Sequence, residues 1–162
     1  MNQDQILRQQ LVKFLDWHEG HADFRAAVDD FPAELRGRVP QGLPYSAWQL
    51  LEHIRIALWD ILEFSRNRRH KSPPWPDGYW PKSSSPPDPD DQAWDKSVQA
   101  VAGYLEEMRE LVSDPANDLF APIPHGTGQT LLREVLLAAD HHAYHLGQLV
   151  LVRRALGAWE SK

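Results

Sequence analysis

Apolar residues recur at helical spacing in four segments, and nowhere in useful length do they show the strict alternation of a half-buried strand. The clearest segment opens at Ser46. Ser46 and Gln49 have the spacing of a capping box, in which each side chain satisfies a free backbone N–H of the other residue. Leu50, Ile54, Ala57, Ile61 and Phe64 then form one apolar stripe, predicting a helix that ends near Arg68. An earlier segment, Gln3 to Val28, carries Ile6, Leu11, Phe14, Leu15, Phe24 and Val28 at looser spacing, with Gly20 as its weak point. Pro32, Pro40, Gly42 and Pro44 mark the connection between these two. A third helix is predicted from Asp91 to Val112, with Trp94, Val98, Val101, Leu105, Met108 and Leu111 as its apolar positions. Pro115, Pro122, Pro124, Gly126 and Gly128 separate it from a fourth, Thr130 to Leu156, which Gly157 stops. Four long helices without a strand predict an all-α helical bundle.

Between the second and third helices the helical pattern fails. Residues 72–89 hold seven prolines, which remove backbone donors and fix φ, so a long Pro-rich surface loop is expected. Long loops in compact domains are usually functional or disordered. Trp75, Tyr79 and Trp80 lie inside this one and predict an ordered flap packed against the body. The three aromatics read equally as walls of a substrate pocket and as anchors that hold the loop down.

The chain has 162 residues, a length that suits a single domain over 1–162 with a core that needs no disulfide or metal staple. The absence of cysteine excludes a disulfide framework, a thiolate metal site and a cysteine nucleophile, and accords with a reducing compartment. A net charge of −6 argues against broad nucleic-acid binding, leaving only a local basic patch at Arg66–Lys71. The opening residues show no basic-then-apolar leader, and no apolar run approaches the ~18–20 residues of a membrane span. A cytoplasmic protein with neither a membrane nor a nucleic-acid partner is expected.

The eight histidines carry the chemistry. The fourth helix contains Asp140-His141-His142-Ala143-Tyr144-His145-Leu146-Gly147-Gln148. At about 100° per residue, His141 and His145 share a face one turn apart, a spacing that can present two imidazoles to one metal. Glu134, His141, His145 and Gln148 fall on one narrow stripe. Leu137 and Leu151 flank it on one side and Ala138, Leu149 and Leu156 on the other, while Arg133, Asp140 and Arg154 mark the solvent face. Burying such a stripe is costly unless its groups are hydrogen-bonded or bound, so it reads as a metal site or as a core network. His142 projects nearer the centre of the apolar arc than His141 and stands i, i+3 from His145. Helical geometry leaves the ligand pair open.

On the second helix His53 sits at the edge of the apolar stripe, where a lone histidine is more often a satisfied core residue than a ligand. Asp60, two turns on, reads as orienting that imidazole, as holding a substrate cation, or as a carboxylate beside Arg66 or Arg68. His21 reads as an exposed residue beside His18 or as one approaching the site from the first helix. His125 belongs to the turn made by Pro124 and Gly126.

Ser46-Ala-Trp-Gln-Leu-Leu-Glu-His53-Ile, taken with the Asp140–Gln148 segment, resembles the DinB-like superfamily, which includes the YfiT-type metal-dependent hydrolases. The likeness covers most of the chain, including Thr130-Leu-Leu-Arg-Glu134 and Arg153-Arg-Ala-Leu-Gly-Ala-Trp159. The resemblance implies an up-down-down-up four-helix bundle holding a divalent metal through His53, His141 and His145. It thereby favours His141 over His142, which stands where the family pattern often has asparagine. It also implies a homodimer.

Three neutral imidazoles leave positions open for water or substrate, whereas structural zinc sites usually close with four protein ligands. Zinc or nickel is the foremost expectation, with iron or manganese behind them. A bound ion lowers the pKa of a water or a thiol, so two reactions follow: hydrolysis, or transfer using a low-molecular-weight thiol. Family members resembling this chain include transferases that use bacillithiol, mycothiol or glutathione. Glu134, Gln148 and Asp60 are the candidate helpers, and no general base stands out. The P-loop, Gly-x-Gly-x-x-Gly, Gly-x-Ser-x-Gly and His-Glu-x-x-His patterns are absent from the sequence. Two rival readings remain: a non-catalytic, stress-associated bundle that binds a metal or ligand, and a dimerising module without metal.

Overall fold

The capping box at Ser46 forms as its spacing requires. Ser46 Oγ accepts from the Gln49 N–H at 3.2 Å, and Gln49 Oε1 accepts from the Ser46 N–H at 3.1 Å. It opens one of five α-helices in a computed structural model that describes residues 2–87 and 92–159. These are α1 (Gln3–Phe14), α2 (Phe24–Val28), α3 (Ala47–Arg66), α4 (Gln92–Ser113) and α5 (Leu131–Ala155). Among the described residues the chain is all-helical, with no strand. No helix is long and apolar enough to cross a membrane.

α3 packs along both α4 and α5, α1 lies along α4, and α2 lies against α5. The stripe read from α3 faces inward: Leu50, Ile54, Ala57 and Ile61 are buried, and Phe64 half so. Val101, Leu105 and Met108 of α4 join Val135, Ala138, Leu146 and Leu149 of α5 in the same core. α5 ends as predicted. Gly157 takes φ 73°, and its N–H bonds the Arg154 carbonyl at 3.0 Å, a left-handed stop that favours glycine.

The first segment is not one helix. α1 stops at Phe14, and the chain runs irregularly to α2, whose cap Asp23 accepts from the Ala26 N–H at 2.8 Å. The run Asp16-Trp17-His18-Glu19-Gly20-His21 has no apolar side chain that is buried, so packing does not hold it helical. The bend lets Phe24, Ala27 and Val28 reach the core, where they are at most 2% exposed. Ile6 and Phe14, read from the sequence with the apolar positions, are instead 45% and 38% exposed.

Residues 67–87 contain no α-helix and only a short 3-10 turn, Asp77–Tyr79. Positions 88–89 of the expected loop, and Asp91 at the expected start of the third helix, lie outside the described residues. The segment is tied to the body at several points. Ser46 Oγ donates to the Ser84 carbonyl, and the neighbouring backbone runs so close that a Cβ at Gly37 would sit 2.8 Å from the Ser85 Cα. Tyr79 and Trp80 are half-buried, whereas Trp75 is 77% exposed, so two of the three aromatics bear on the body.

Candidate metal centre

Packing α3 against α5 brings His53 to His141 and His145 across the interface. His53 Nε2 lies 3.1 Å from His145 Nε2 and 3.0 Å from His141 Nε2. One ligand atom from each of the three lies within 4.8 Å of the others. The outer nitrogens of two rings are tied down, which aims their inner ones at the cluster. His53 Nδ1 donates to the Tyr79 carbonyl at 2.9 Å, and His145 Nδ1 donates to Gln148 Oε1 at 2.7 Å. A carbonyl oxygen only accepts, so in each neutral ring the proton sits on Nδ1 and Nε2 presents a bare lone pair. Two such lone pairs at 3.1 Å share no proton.

Burial keeps the three rings neutral. It holds His53 down to about 4, helped by the neighbouring His145 and opposed by the Tyr79 carbonyl. It holds His141 down to about 3, with further lowering from His145, His53 and His142. His145 is lowered by the same burial, against a raising hydrogen bond from Gln148. His141 Nδ1 is itself buried without a hydrogen-bond partner. Neutral imidazole is the form that ligates a metal. A tetrahedral ion with bonds of about 2.0–2.1 Å separates its ligand nitrogens by about 3.3–3.4 Å. The two spacings from His53 are a few tenths of an ångström shorter, and the three ligand atoms lie within 4.8 Å of one another, so the donor set fits such an ion once the rings draw in around it.

Aromatic rings surround the cluster. Trp80 stacks face to face on His53, with centroids 3.8 Å apart and planes 5° apart, and Tyr45 stacks on Trp80 at 4.2 Å. Tyr144 meets His145 edge-on at 4.9 Å. His53 and His145 are 3% and 8% exposed.

The three histidines and the Ser46 cap all sit within one stretch that a family profile, described as the DinB superfamily, matches over residues 16–149. The chain belongs to the DinB superfamily. No curated protein and no solved structure matches it.

In this DinB-superfamily chain the other residues singled out by sequence fall in different places. Gln148 orients His145. Asp60 does not touch His53: its carboxylate accepts from His70 Nε2 at 2.7 Å and from the Tyr79 hydroxyl at 2.6 Å. That environment, burial first and the Asp60 carboxylate second, pushes the Tyr79 phenol up to about 12. Arg66, one expected partner of Asp60, pairs with Glu63 and Glu107 instead. Glu134 is 2% exposed and bonds Arg133 at 2.7 Å, with no bond to a histidine of the cluster. His142 lies round the helix from the cluster. It packs on Phe24, with Nε2 3.7 Å from Asp16. His21 is exposed and bonds only its neighbour's carbonyl, and His125 caps the Phe64 carbonyl at 2.7 Å. Sequence reading missed the Tyr79 carbonyl altogether. The aromatic-rich loop hinted at packing, but no side-chain pattern reports where a backbone oxygen will point.

Proposed function

We propose that this protein is a metal-dependent enzyme in which His53, His141 and His145 hold one divalent ion through Nε2. A small molecule would react there, by transfer of a low-molecular-weight thiol or by hydrolysis. The observation that carries the reading is the convergence of three neutral imidazoles, two of them with Nε2 stripped of its proton by a carbonyl on the far side of the ring. This donor set suits zinc or nickel first, then iron or manganese. When bound, such an ion lowers the pKa of a water or thiol at its open positions. The chain's own groups do the rest. Tyr79 and Gln148 hold two rings in the ligating tautomer, and burial keeps all three neutral at pH 7. Trp80 shields one face of His53 from water.

The wider reading follows the family. α1, α3, α4 and α5 would form an up-down-down-up four-helix bundle as a single domain, with the Pro-rich segment over 72–89 as the loop joining α3 to α4. The exposed Leu136, Tyr144 and Leu151 on α5 support a homodimer, the lack of cysteine accords with a cytoplasmic protein, and the net charge of −6 supports action on small molecules rather than nucleic acid.

Elemental analysis of protein purified without added metal or an affinity tag, beside His53→Ala, tests the proposal. About one divalent ion per chain in the native protein, lost in the variant, is the expected result. No metal in the native protein, with remetallation also failing, would leave the histidines as core polar residues. One observation favours a second reading, a non-catalytic stress-associated bundle: two of the three rings, His53 beneath Trp80 and His145, are nearly closed off from solvent. Water exchange at a bound cobalt(II) ion, followed by proton relaxation, separates the two. Rapid exchange supports the enzyme, and its absence supports the binding protein.

A further inference from the structure

Asp60 stands seven residues after His53, which puts both on one face of α3 about 10 Å apart along its axis. One loop residue spans that distance. The Tyr79 hydroxyl donates to Asp60 Oδ2 at 2.6 Å while the Tyr79 carbonyl accepts from His53 Nδ1 at 2.9 Å. The Asp60 carboxylate is bonded at both oxygens, since Oδ1 takes the His70 Nε2 hydrogen bond at 2.7 Å. Side chains of Asp60 and His70 are 13% and 6% exposed, and Trp59 closes the far side by meeting His70 edge-on at 4.9 Å. A largely buried carboxylate bonded at both oxygens is held in place, because moving either partner leaves a charge or a donor unpaired.

We propose that Asp60 is a positioning residue for the histidine cluster, acting through Tyr79 to hold the backbone carbonyl that sets the tautomer of His53. The 3-10 turn Asp77–Tyr79 lies against α3 with no backbone N–H among the described residues bonded to its carbonyls, so side-chain bonds fix their direction, and the phenol-to-carboxylate bond is the second such tie to α3 beside the His53 bond itself. With that anchor in place, the Tyr79 oxygen meets His53 Nδ1, the proton stays on Nδ1, and Nε2 faces His145 and His141 as a lone pair. Without it the turn is free to shift, and His53 loses the acceptor that distinguishes its two nitrogens. The proline-rich segment then belongs to the site as a structural part, with Trp80, next along the chain, stacked on the ring that Tyr79 orients. This inference deepens the metal-centre reading above. Its first readout is made on metal-free protein and does not depend on that reading.

The test is long-range ¹H–¹⁵N NMR of the His53 ring in metal-free protein, for wild type, Asp60→Ala, Asp60→Asn and Tyr79→Phe, with zinc affinity then measured by chelator competition. Wild type is expected to show the Nδ1–H tautomer. Asp60→Ala and Tyr79→Phe are expected to show a tautomer mixture and zinc affinity about tenfold weaker, the lower end of what losing an outer-shell partner costs. Asp60→Asn, which still offers an oxygen to the Tyr79 hydroxyl, is expected to keep the wild-type tautomer. A pure Nδ1–H tautomer with unchanged zinc affinity in a folded Asp60→Ala or Tyr79→Phe protein would overturn the proposal and leave Asp60 a loop anchor only. If Asp60→Ala does not fold, Tyr79→Phe alone decides. Wild type that shows the tautomer but binds no zinc would refute the metal reading while leaving this one standing.

Discussion

Replacing His145 and His142 separately by alanine distinguishes the cluster from the rest of the histidine-rich helix. His145 points Nε2 at His53 from 3.1 Å, whereas His142, three residues earlier, lies about 60° round the helix and faces Asp16. With zinc at about 100 times its dissociation constant, binding stabilises the native state by about 2.7 kcal/mol. In a domain of this size about 1 kcal/mol moves the unfolding midpoint by 2–4 °C, so the wild-type shift on adding zinc is about 5–11 °C. Losing a ligand weakens affinity by more than the roughly 100-fold upper range for losing an outer-shell partner. At the same zinc concentration His145→Ala would then gain about 0.4 kcal/mol or less, a shift of about 1–2 °C. His142→Ala should keep the full shift from a lower starting midpoint, because deleting a ring that is 1% exposed and packed on Phe24 leaves a cavity. Differential scanning calorimetry with and without zinc, alongside metal content, reads both variants. A shift lost in His142→Ala and kept in His145→Ala would refute the ligand assignment, and no shift in wild type would refute the centre itself.

Acid should destabilise the metal-free protein earlier than its carboxylates alone would. His53 and His141 titrate near 4 and 3 when folded and near 6.5 when unfolded, because burial disfavours their charged forms. The unfolded chain therefore takes up protons first, and the stability these rings contribute is complete above about pH 6.5 and drains as pH falls toward 4. Urea unfolding in chelator at pH 7.5, 6 and 5 checks this, and a flat profile would contradict it. Trp80→Ala should uncover one face of His53 and speed zinc loss to a chelator, and an unchanged stopped-flow release rate would show that Trp80 does not guard the site. Arg8→Ala should cost about 2–4 kcal/mol, since the guanidinium serves the carbonyls of Val112, Asp114 and Asn117 at and beyond the end of α4. A loss under about 1 kcal/mol by urea unfolding would mean that water replaces it readily.

Features set within a few residues of chain are legible in the sequence itself. The Ser46–Gln49 cap, the stripe of α3, the Gly157 stop and the shared face of His141 and His145 all depend on spacing along one helix, which sequence states directly. The first helix misled because its apolar residues fit helical spacing on either side of a polar run, and spacing says nothing about whether that run has anything to pack against.

The tertiary structure alone decided the rest. His53 meets the Tyr79 carbonyl across 26 residues and His145 across 92, so neither contact has a local signature. Asp60 shares a face with His53, yet its partners are His70 and Tyr79, because the loop that returns over α3 reaches the carboxylate first. The different surroundings of His141 and His142 arise the same way. Sequence placed both near the buried side of α5, and the family resemblance favoured one. The packing of α3 put His53 within reach of His141, while the α1–α2 bend put Asp16 against His142. Helix periodicity determines which side chains share a face. Only the packing of distant segments determines what that face will meet.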